Sequence, residues 1–426
     1  MKPLRRVVEL GAAFLCSNLA RAAIGFGLTL AIGRGLGADR FGTWVWCTTW
    51  ASTLTTIADL GFGVLLTRDG ARADADPVRL VGGALALRML VAVPLGIALV
   101  LASGAASSSA EAAAGLRVAA VLGIAGAAYG CFGALFRSQP RWLPAWLGVE
   151  TVWLALQLAA SWWLVRAGSG IVSLVTLAAA VQFAQIATAL AFWRMVFGER
   201  RRTAGSASSL TATLRRALPF AATGLVTNLQ LRVAPLMLGA MATPAELGWF
   251  GAASRVGRAV KLAPQALFAG ALPVLTHEYG RDRSGARHVS RSLDRALVAL
   301  SIAAAAAMAL FAAPLMRLLF GEPFAAAGPA LVWIAVGLIP ALSNSGRKIF
   351  LFAASGESVV LRWSAVALAA QIVSAAVLIP AFGAAGAAAS VALGEAVIWW
   401  PVRRAAGAAV RLKPDSTYDH FAVTSA

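Results

Sequence analysis

Between Gly251 and Gln265 the chain reads GAASRVGRAVKLAPQ, and this stretch carries the residues with the most to do chemically. It lies inside an apolar run of transmembrane length, about 249–275, yet it holds Arg255, Arg258 and Lys261. At ~100° per residue the three cations fall within an arc of about 120°, and Gly251, Ser254 and Gln265 share it. At ~1.5 Å per residue from an edge near Trp249 they sit roughly 9, 14 and 18 Å down. The middle of a bilayer's hydrocarbon core lies about 15 Å down. A cation facing lipid there costs roughly 2.5–3.5 kcal/mol, so three would cost on the order of 8–10 kcal/mol. The stripe is therefore expected to face a wet internal cavity. A cluster of one sign, with no carboxylate on its own helix, suits the binding of an anion. The alternative is that one or two of these side chains snorkel outward or pair with acids on neighbouring helices.

The elements that must position such a cluster are set by composition. The 426 residues are 59% hydrophobic and 13% charged, with a mean hydropathy of +0.76. A soluble domain would carry about twice that charge. An all-α polytopic membrane protein is expected, because a lipid-facing backbone must bond internally and the alternation of a barrel strand is missing. The formal charge of +19 does not point to nucleic acid, since the basic residues fall in short clusters between apolar runs. Cys16, Cys47 and Cys131 lie in apolar runs without a CxxC and read as packing residues. His277, His288 and His420 lie outside the spans and show no metal-ligand spacing, so no metal and no cofactor is expected. The first apolar run is too long for a signal-peptide core, and no A-x-A-like site follows it, so it reads as a retained first helix.

Twelve spans are expected: about 8–32, 42–66, 80–102, 113–136, 143–165, 171–193, 217–241, 249–275, 296–319, 325–346, 363–380 and 384–402. Span ten has a second endpoint open, about Ala354, which would take in Arg347 and Lys348. With the N-terminus inside, the inner segments hold 26 Lys and Arg and the outer ones 4. The excess of positive charge on inner loops places both termini in the cytoplasm. The polar connection 194–216, with Glu199-Arg200-Arg201-Arg202, divides six spans from six. The chain then reads as an N-terminal six-helix bundle (1–193), a basic cytoplasmic linker (194–216), a C-terminal six-helix bundle (217–402) and a polar cytoplasmic tail (403–426). Both bundles begin inside, so a repeat would be parallel. Phe41-Gly42-Thr43-Trp44 opens span two and Leu247-Gly248-Trp249-Phe250 opens span eight, a short internal echo.

Other polar residues line up with the cationic stripe. Span one carries Asn18, Arg21, Gly25 and Thr29 on one face. Span seven carries Asn228 and Arg232 at i, i+4. Span two carries Trp44, Thr48, Ser52, Thr55 and Asp59 on an arc of about 80°. Small and hydroxylated stripes are also ordinary helix-packing faces in membranes. Arg21 and Arg232 lie well inside their spans and join Arg255, Arg258 and Lys261 as candidate anion ligands. Asn18, Thr48, Thr55, Asn228 and Gln265 are candidate cavity lining. Asp59, Glu150 and Glu395 either pair with cations or bind a coupling proton. Arg88 and Arg117 read as structural or snorkelling. Trp142, Trp146, Trp162, Trp163, Trp193, Trp399 and Trp400 sit near span ends, as in an interfacial belt.

Several stretches together resemble the polysaccharide repeat-unit flippases, the lipid-linked oligosaccharide branch of the superfamily that also contains the multidrug and toxin extrusion transporters. Gly33-Arg34-Gly35-Leu36-Gly37-Ala38-Asp39-Arg40-Phe41-Gly42, then Ala58-Asp59-Leu60-Gly61-Phe62-Gly63 and Thr67-Arg68, is similar to that family's first hairpin. Glu246-Leu247-Gly248-Trp249-Phe250-Gly251-Ala252-Ala253-Ser254-Arg255 and Leu272-Pro273 resemble its eighth span. Phe320-Gly321-Glu322-Pro323-Phe324 resembles its loop before span ten, and the stretch from Ile379 to Ala388 with Glu395 its last hairpin. The matches run over about 33–395. The resemblance implies two six-helix bundles forming a V, with a central cavity lined chiefly by spans one, two, seven and eight. It also implies a polyprenyl diphosphate bearing a short oligosaccharide as substrate, moved across a bacterial cytoplasmic membrane for surface polysaccharide such as O-antigen or exopolysaccharide. Membrane lipids, a polysaccharide polymerase and chain-length machinery would then be partners. A drug or metabolite antiporter on the same fold is the competing reading, although cationic drugs would want a carboxylate-lined cavity. A membrane glycosyltransferase or polymerase fits less well, because the longest outer connection is the bland Ser103–Ala112. A scaffold protein would leave the buried like charges unexplained.

Overall fold

The computed structural model describes residues 2–70, 77–139, 141–197, 210–261, 283–353 and 357–409. All regular structure in them is helical. Among the described residues seven helices are long and apolar enough to cross a membrane, and eight if one bent pair is counted as a single span. Two of the seven each take up two expected spans: Ser17–Asp59 covers most of spans one and two, and Ser358–Ala405 contains spans eleven and twelve.

The joints differ from expectation in an instructive way. Spans one and two need no loop between them: helix runs over Lys2–Asp59, broken at Gly37, whose φ is 74°. Spans eleven and twelve are joined in the same manner within Glu357–Ala409, at Gly383, with φ 51°. Side chains with a Cβ rarely take this conformation, so glycine permits a one-residue reversal. Span two stops at Asp59 rather than near 66. Leu60 and Gly61 both have positive φ, and a separate helix, Phe62–Gly70, follows. Span nine is not straight. It comprises Arg283–Leu310 and Ala312–Phe320, bent by 76°. Pro314 lacks the N–H that would bond to the Leu310 carbonyl, which accounts for the break. Span ten, Gly328–Ala353, takes the longer of its two endpoints and includes Arg347 and Lys348. Span eight is described as helix over 244–261.

The remaining spans are Pro77–Ala102, Ala110–Arg137, Leu143–Arg166 and Ile171–Phe197 in the first half, and Leu210–Met241 opening the second. Span four starts cleanly because the Ser109 side chain accepts from the Ala112 N–H, and its Glu111 reaches across to the Ile171 N–H. Each cap satisfies a helix N–H that apolar surroundings would otherwise strand.

The apolar core explains the shape. At the end of the molecule that holds Gly37, one cluster joins both halves: Phe41, Trp44 and Leu116 pack with Leu247, Phe250, Phe320 and Phe324. At the opposite end, which holds Asp59, the core splits. Phe62, Phe136, Trp146 and Phe197 form a cluster within the first half. Leu351, Val360, Ile398 and Val402 form another within the second. The halves therefore share a core at the Gly37 end and have separate cores at the Asp59 end.

The closure at the Gly37 end is built on backbone contact. A Cβ on Gly42 would strike the Pro244 carbonyl, and one on Gly248 would strike the Ala38 carbonyl. The two echoed glycines thus meet across the interface between spans two and eight. Phe41 stacks its edge on Phe324, with ring centroids 5.7 Å apart. Arg34 donates from Nε to the Leu319 carbonyl at 2.7 Å and from Nη2 to the Leu318 carbonyl. It thereby caps the C-terminus of Ala312–Phe320, where partial negative charge gathers.

Candidate substrate-binding cavity

Behind that closed end lies a cavity of about 360 Å³. Thr48, Thr49 and Ser52 of span two form one wall, and Gln230, Arg232 and Pro235 of span seven another. Gly251, Ser254, Arg255, Arg258 and Lys261 of span eight form the third, with Ile334 and Val391 from spans ten and twelve. The stripe read from the sequence thus lines one internal space as far as the described helix extends. Arg258 is exposed and Arg255 and Lys261 half-buried, so cations at mid-helix are wetted by the cavity. Arg232 donates from Nη1 to the Ser52 hydroxyl, while its buried Nε has no partner among the described residues.

The charge balance is one-sided. Among the described residues no carboxylate pairs with Arg232, Arg255, Arg258 or Lys261. Four cations held in one space repel, and an anion with several oxygens relieves that repulsion while filling their N–H donors.

A second cavity, of about 640 Å³, lies toward the Asp59 end. Thr55, Thr56 and Asp59 line it from the next turns of span two, and Asn228 from the next turn of span seven. Thr67, Arg88 and Arg137 complete its polar lining. The two spaces follow successive turns of the same two helices.

The other sequence candidates are placed elsewhere or otherwise engaged. Arg21 lines neither cavity and pairs with Glu150 at 2.5 Å. Glu150 is 6% exposed and also accepts from Arg137 at 3.2 Å, Trp146 Nε1 at 3.1 Å and Tyr129 at 3.3 Å. Asp59 pairs with the buried Arg88, which is therefore an internal residue rather than a snorkelling one. Glu395 accepts from Asn344 at 3.1 Å. Arg117 bonds the Ser103 hydroxyl at 3.1 Å. Asn18 is half-buried and lines neither cavity. Gln265 lies outside the described residues.

Sequence reasoning missed Thr49, Gln230, Thr56 and Arg137 as lining. Gln230 and Thr49 lie off the arcs that single out their helices, and a cavity that curves around a helix admits both. Arg137 falls just past the expected end of span four, where it counts only among the inner-segment cations.

The fold has solved counterparts. The lipid II flippase MurJ, in an inward closed conformation, superposes with a TM-score of 0.74 at 11% identity, covering 96% of this chain and 88% of its own. A multidrug resistance transporter of the MATE family in the MOP superfamily, in an inward-facing conformation, gives 0.71 at 14% identity, with 94% and 100% covered. A MOP-superfamily transporter from Pyrococcus furiosus, described as having a binding pocket of reversed polarity and a different function, gives 0.57 at 16%, with 95% and 96% covered. At such identities the likeness is one of fold. No curated protein matches the chain. The sequence pattern of one family, described as polysaccharide biosynthesis protein, matches residues 11–277, which is more than half of the chain and takes in spans one to eight. With that match over more than half of its length, the chain belongs to the polysaccharide biosynthesis protein family.

Proposed function

We propose that this protein is a flippase that carries a polyprenyl diphosphate bearing a short oligosaccharide from the cytoplasmic to the outer leaflet of a bacterial cytoplasmic membrane. The observation that carries the reading is the cluster Arg232, Arg255, Arg258 and Lys261, which has no carboxylate partner among the described residues and lines a space closed at one end. A diphosphate presents several anionic oxygens in a compact group, and arginine meets such oxygens in pairs. In hydrocarbon the same group would lose its hydration with nothing in return. The cavity replaces that water, and the lipid tail stays in the bilayer.

The charge distribution of the loops supports both termini being cytoplasmic. The Gly37 end is then the outer gate, and the divided core at the Asp59 end is the cytoplasmic opening. The two bundles, 1–193 and 217–402, rock about the cavity, and no bond of the substrate is made or broken. Moving one negative charge outward across an inside-negative membrane gains about 2.3 kcal/mol per 100 mV. Asp59, Glu150 and Glu395 each have a donor partner, which favours drive by the membrane potential over a coupling carboxylate. Polymerase and chain-length machinery would take the product on the outer face.

The test is translocation in proteoliposomes. A fluorescent polyprenyl-diphosphate oligosaccharide should reach the opposite leaflet faster with the protein than without it, and faster still under an outward-driving potential. A cationic drug should not compete. Transport of the drug with no movement of the lipid would favour the antiporter reading instead.

A further inference from the structure

We propose that the 640 Å³ cavity is the subsite for the sugar adjoining the diphosphate, and that it favours a neutral, hydroxyl-rich glycan because its walls present hydrogen-bond acceptors. The proposal rests on the diphosphate reading of the first cavity.

Room decides the placement. The cationic space holds about 360 Å³ and is shut at the Gly37 end by the meeting of Gly42 with Pro244 and Gly248. A glycan joined to a diphosphate there must extend the other way. The larger space lies on that side, on the following turns of spans two and seven. Its size falls in the range of pockets that enclose a ligand of several hundred daltons, ~300–1,000 Å³.

Donor and acceptor balance decides the chemistry. In the lower space the hydroxyl donors are already committed. Thr55 donates to the Ala51 and Gly123 carbonyls, Thr56 to Ser52, and Thr67 to Gly63 and Ala134. Each hydroxyl oxygen then has only acceptor capacity left. Asn228 donates one N–H to the Gly224 carbonyl and keeps its second N–H and its side-chain oxygen. Arg88 gives its two terminal nitrogens to the Ala127 carbonyl and to Asp59, while its buried Nε has no acceptor among the described residues. Asp59 takes both Arg88 and the Gly63 N–H on Oδ1. Among the described residues its Oδ2 has no donor, and the side chain is 39% exposed. The Asp59 oxygen and the threonine oxygens thus await donors. Neighbouring hydroxyls of a sugar ring supply O–H donors at that spacing, whereas a phosphate or carboxylate would bring acceptors to acceptors. Arg137, half exposed and shared with Glu150, and the second N–H of Asn228 are the donors left beside these acceptors. The path is therefore polarised: donors at the deep end for the phosphates, acceptors at the mouth for the sugar.

Binding to the purified protein tests this with three lipids: a polyprenyl diphosphate carrying a neutral disaccharide, the same lipid with the disaccharide hydroxyls O-methylated, and the sugar-free lipid. The disaccharide should tighten binding by about tenfold or more over the sugar-free lipid, the worth of one hydrogen bond to a charged acceptor. O-methylation removes the donors and should abolish that gain. The double variant T56V/T67V should shrink the ratio of the two affinities severalfold. Equal binding of the native and methylated glycans, or an equal loss of both lipids in T56V/T67V, would overturn the proposal. If the wild-type protein does not bind the sugar-free lipid, the diphosphate reading itself fails, and the subsite assignment with it.

Discussion

On the proposed flippase function, the contact between Gly42 and Gly248 should set the balance between opening at the two ends of the molecule, and a single methyl group is enough to test it. A Cβ on Gly42 would lie 2.6 Å from the Pro244 carbonyl carbon and 2.8 Å from the Gly248 nitrogen, where ordinary contact begins near 3.4 Å. The shortfall is most of an ångström at these two atoms and larger at the Pro244 carbonyl oxygen, and all are backbone, which cannot rotate aside. Overpacking of this kind costs roughly 1–3 kcal/mol. The cost falls only on the conformation in which spans two and eight touch, so it becomes a shift of about 5–150-fold toward opening at the Gly37 end. Thr48 lines the cavity behind this contact and serves as reporter. In a background with Cys16, Cys47 and Cys131 replaced, Thr48→Cys should react slowly with an impermeant maleimide added outside. Adding Gly42→Ala should speed the reaction about tenfold or more, and Gly42→Ala with Gly248→Ala should do no less. An unchanged rate in both, with the protein inserted at normal abundance, would refute the assignment of this contact as the outer gate.

Other outcomes follow from the pairs around the cavities. Asp59→Ala leaves the buried Arg88 without its anion and should destabilise the protein by about 3 kcal/mol, read as a fall in Tm in detergent. Asp59→Ala combined with Arg88→Met should recover most of that loss, and no recovery would deny the pair a structural role. Glu150→Gln keeps the shape of a side chain that holds Arg21, Arg137, Trp146 and Tyr129 together but removes its charge. It should lower Tm while leaving the pH dependence of transport unaltered; a changed pH profile would make Glu150 a coupling residue. A cysteine placed in 200–205 should be labelled only after permeabilisation, and one in 107–109 in intact cells. The reverse pattern would invert the topology.

How far the sequence reached depended on whether a feature was local to one helix. The stripe of Arg255, Arg258 and Lys261 was legible because one helical period puts all three on a single face and hydrocarbon forbids that face to lipid. The stripe could not say what stood opposite. Arg21 looked equivalent to Arg232 on the same grounds, but its partner Glu150 is 129 residues away. Only tertiary packing separates the paired arginine from the one that faces the cavity. The joints show the same limit. A glycine-rich stretch marks a turn near Gly37, but not that one residue suffices. Proline breaks the helix at Pro314, while Pro94 and Pro340 stay inside unbroken helices. What differs is the surrounding packing, which no local pattern records. The echo of Gly42 and Gly248 was visible, and its meaning came only when the two were found in contact.

The central claim is that the cationic cavity holds a diphosphate, and equilibrium binding of a sugar-free polyprenyl diphosphate tests it most directly. Arg255→Gln with Arg258→Gln keeps polar side chains of similar reach and removes two charges. If the claim is right, the wild-type protein binds the lipid, and added inorganic pyrophosphate competes. Affinity falls as salt rises, and the double variant binds at least a hundredfold more weakly, about 2.7 kcal/mol. Equal affinity in the wild type and the double variant, with both folded, would contradict it.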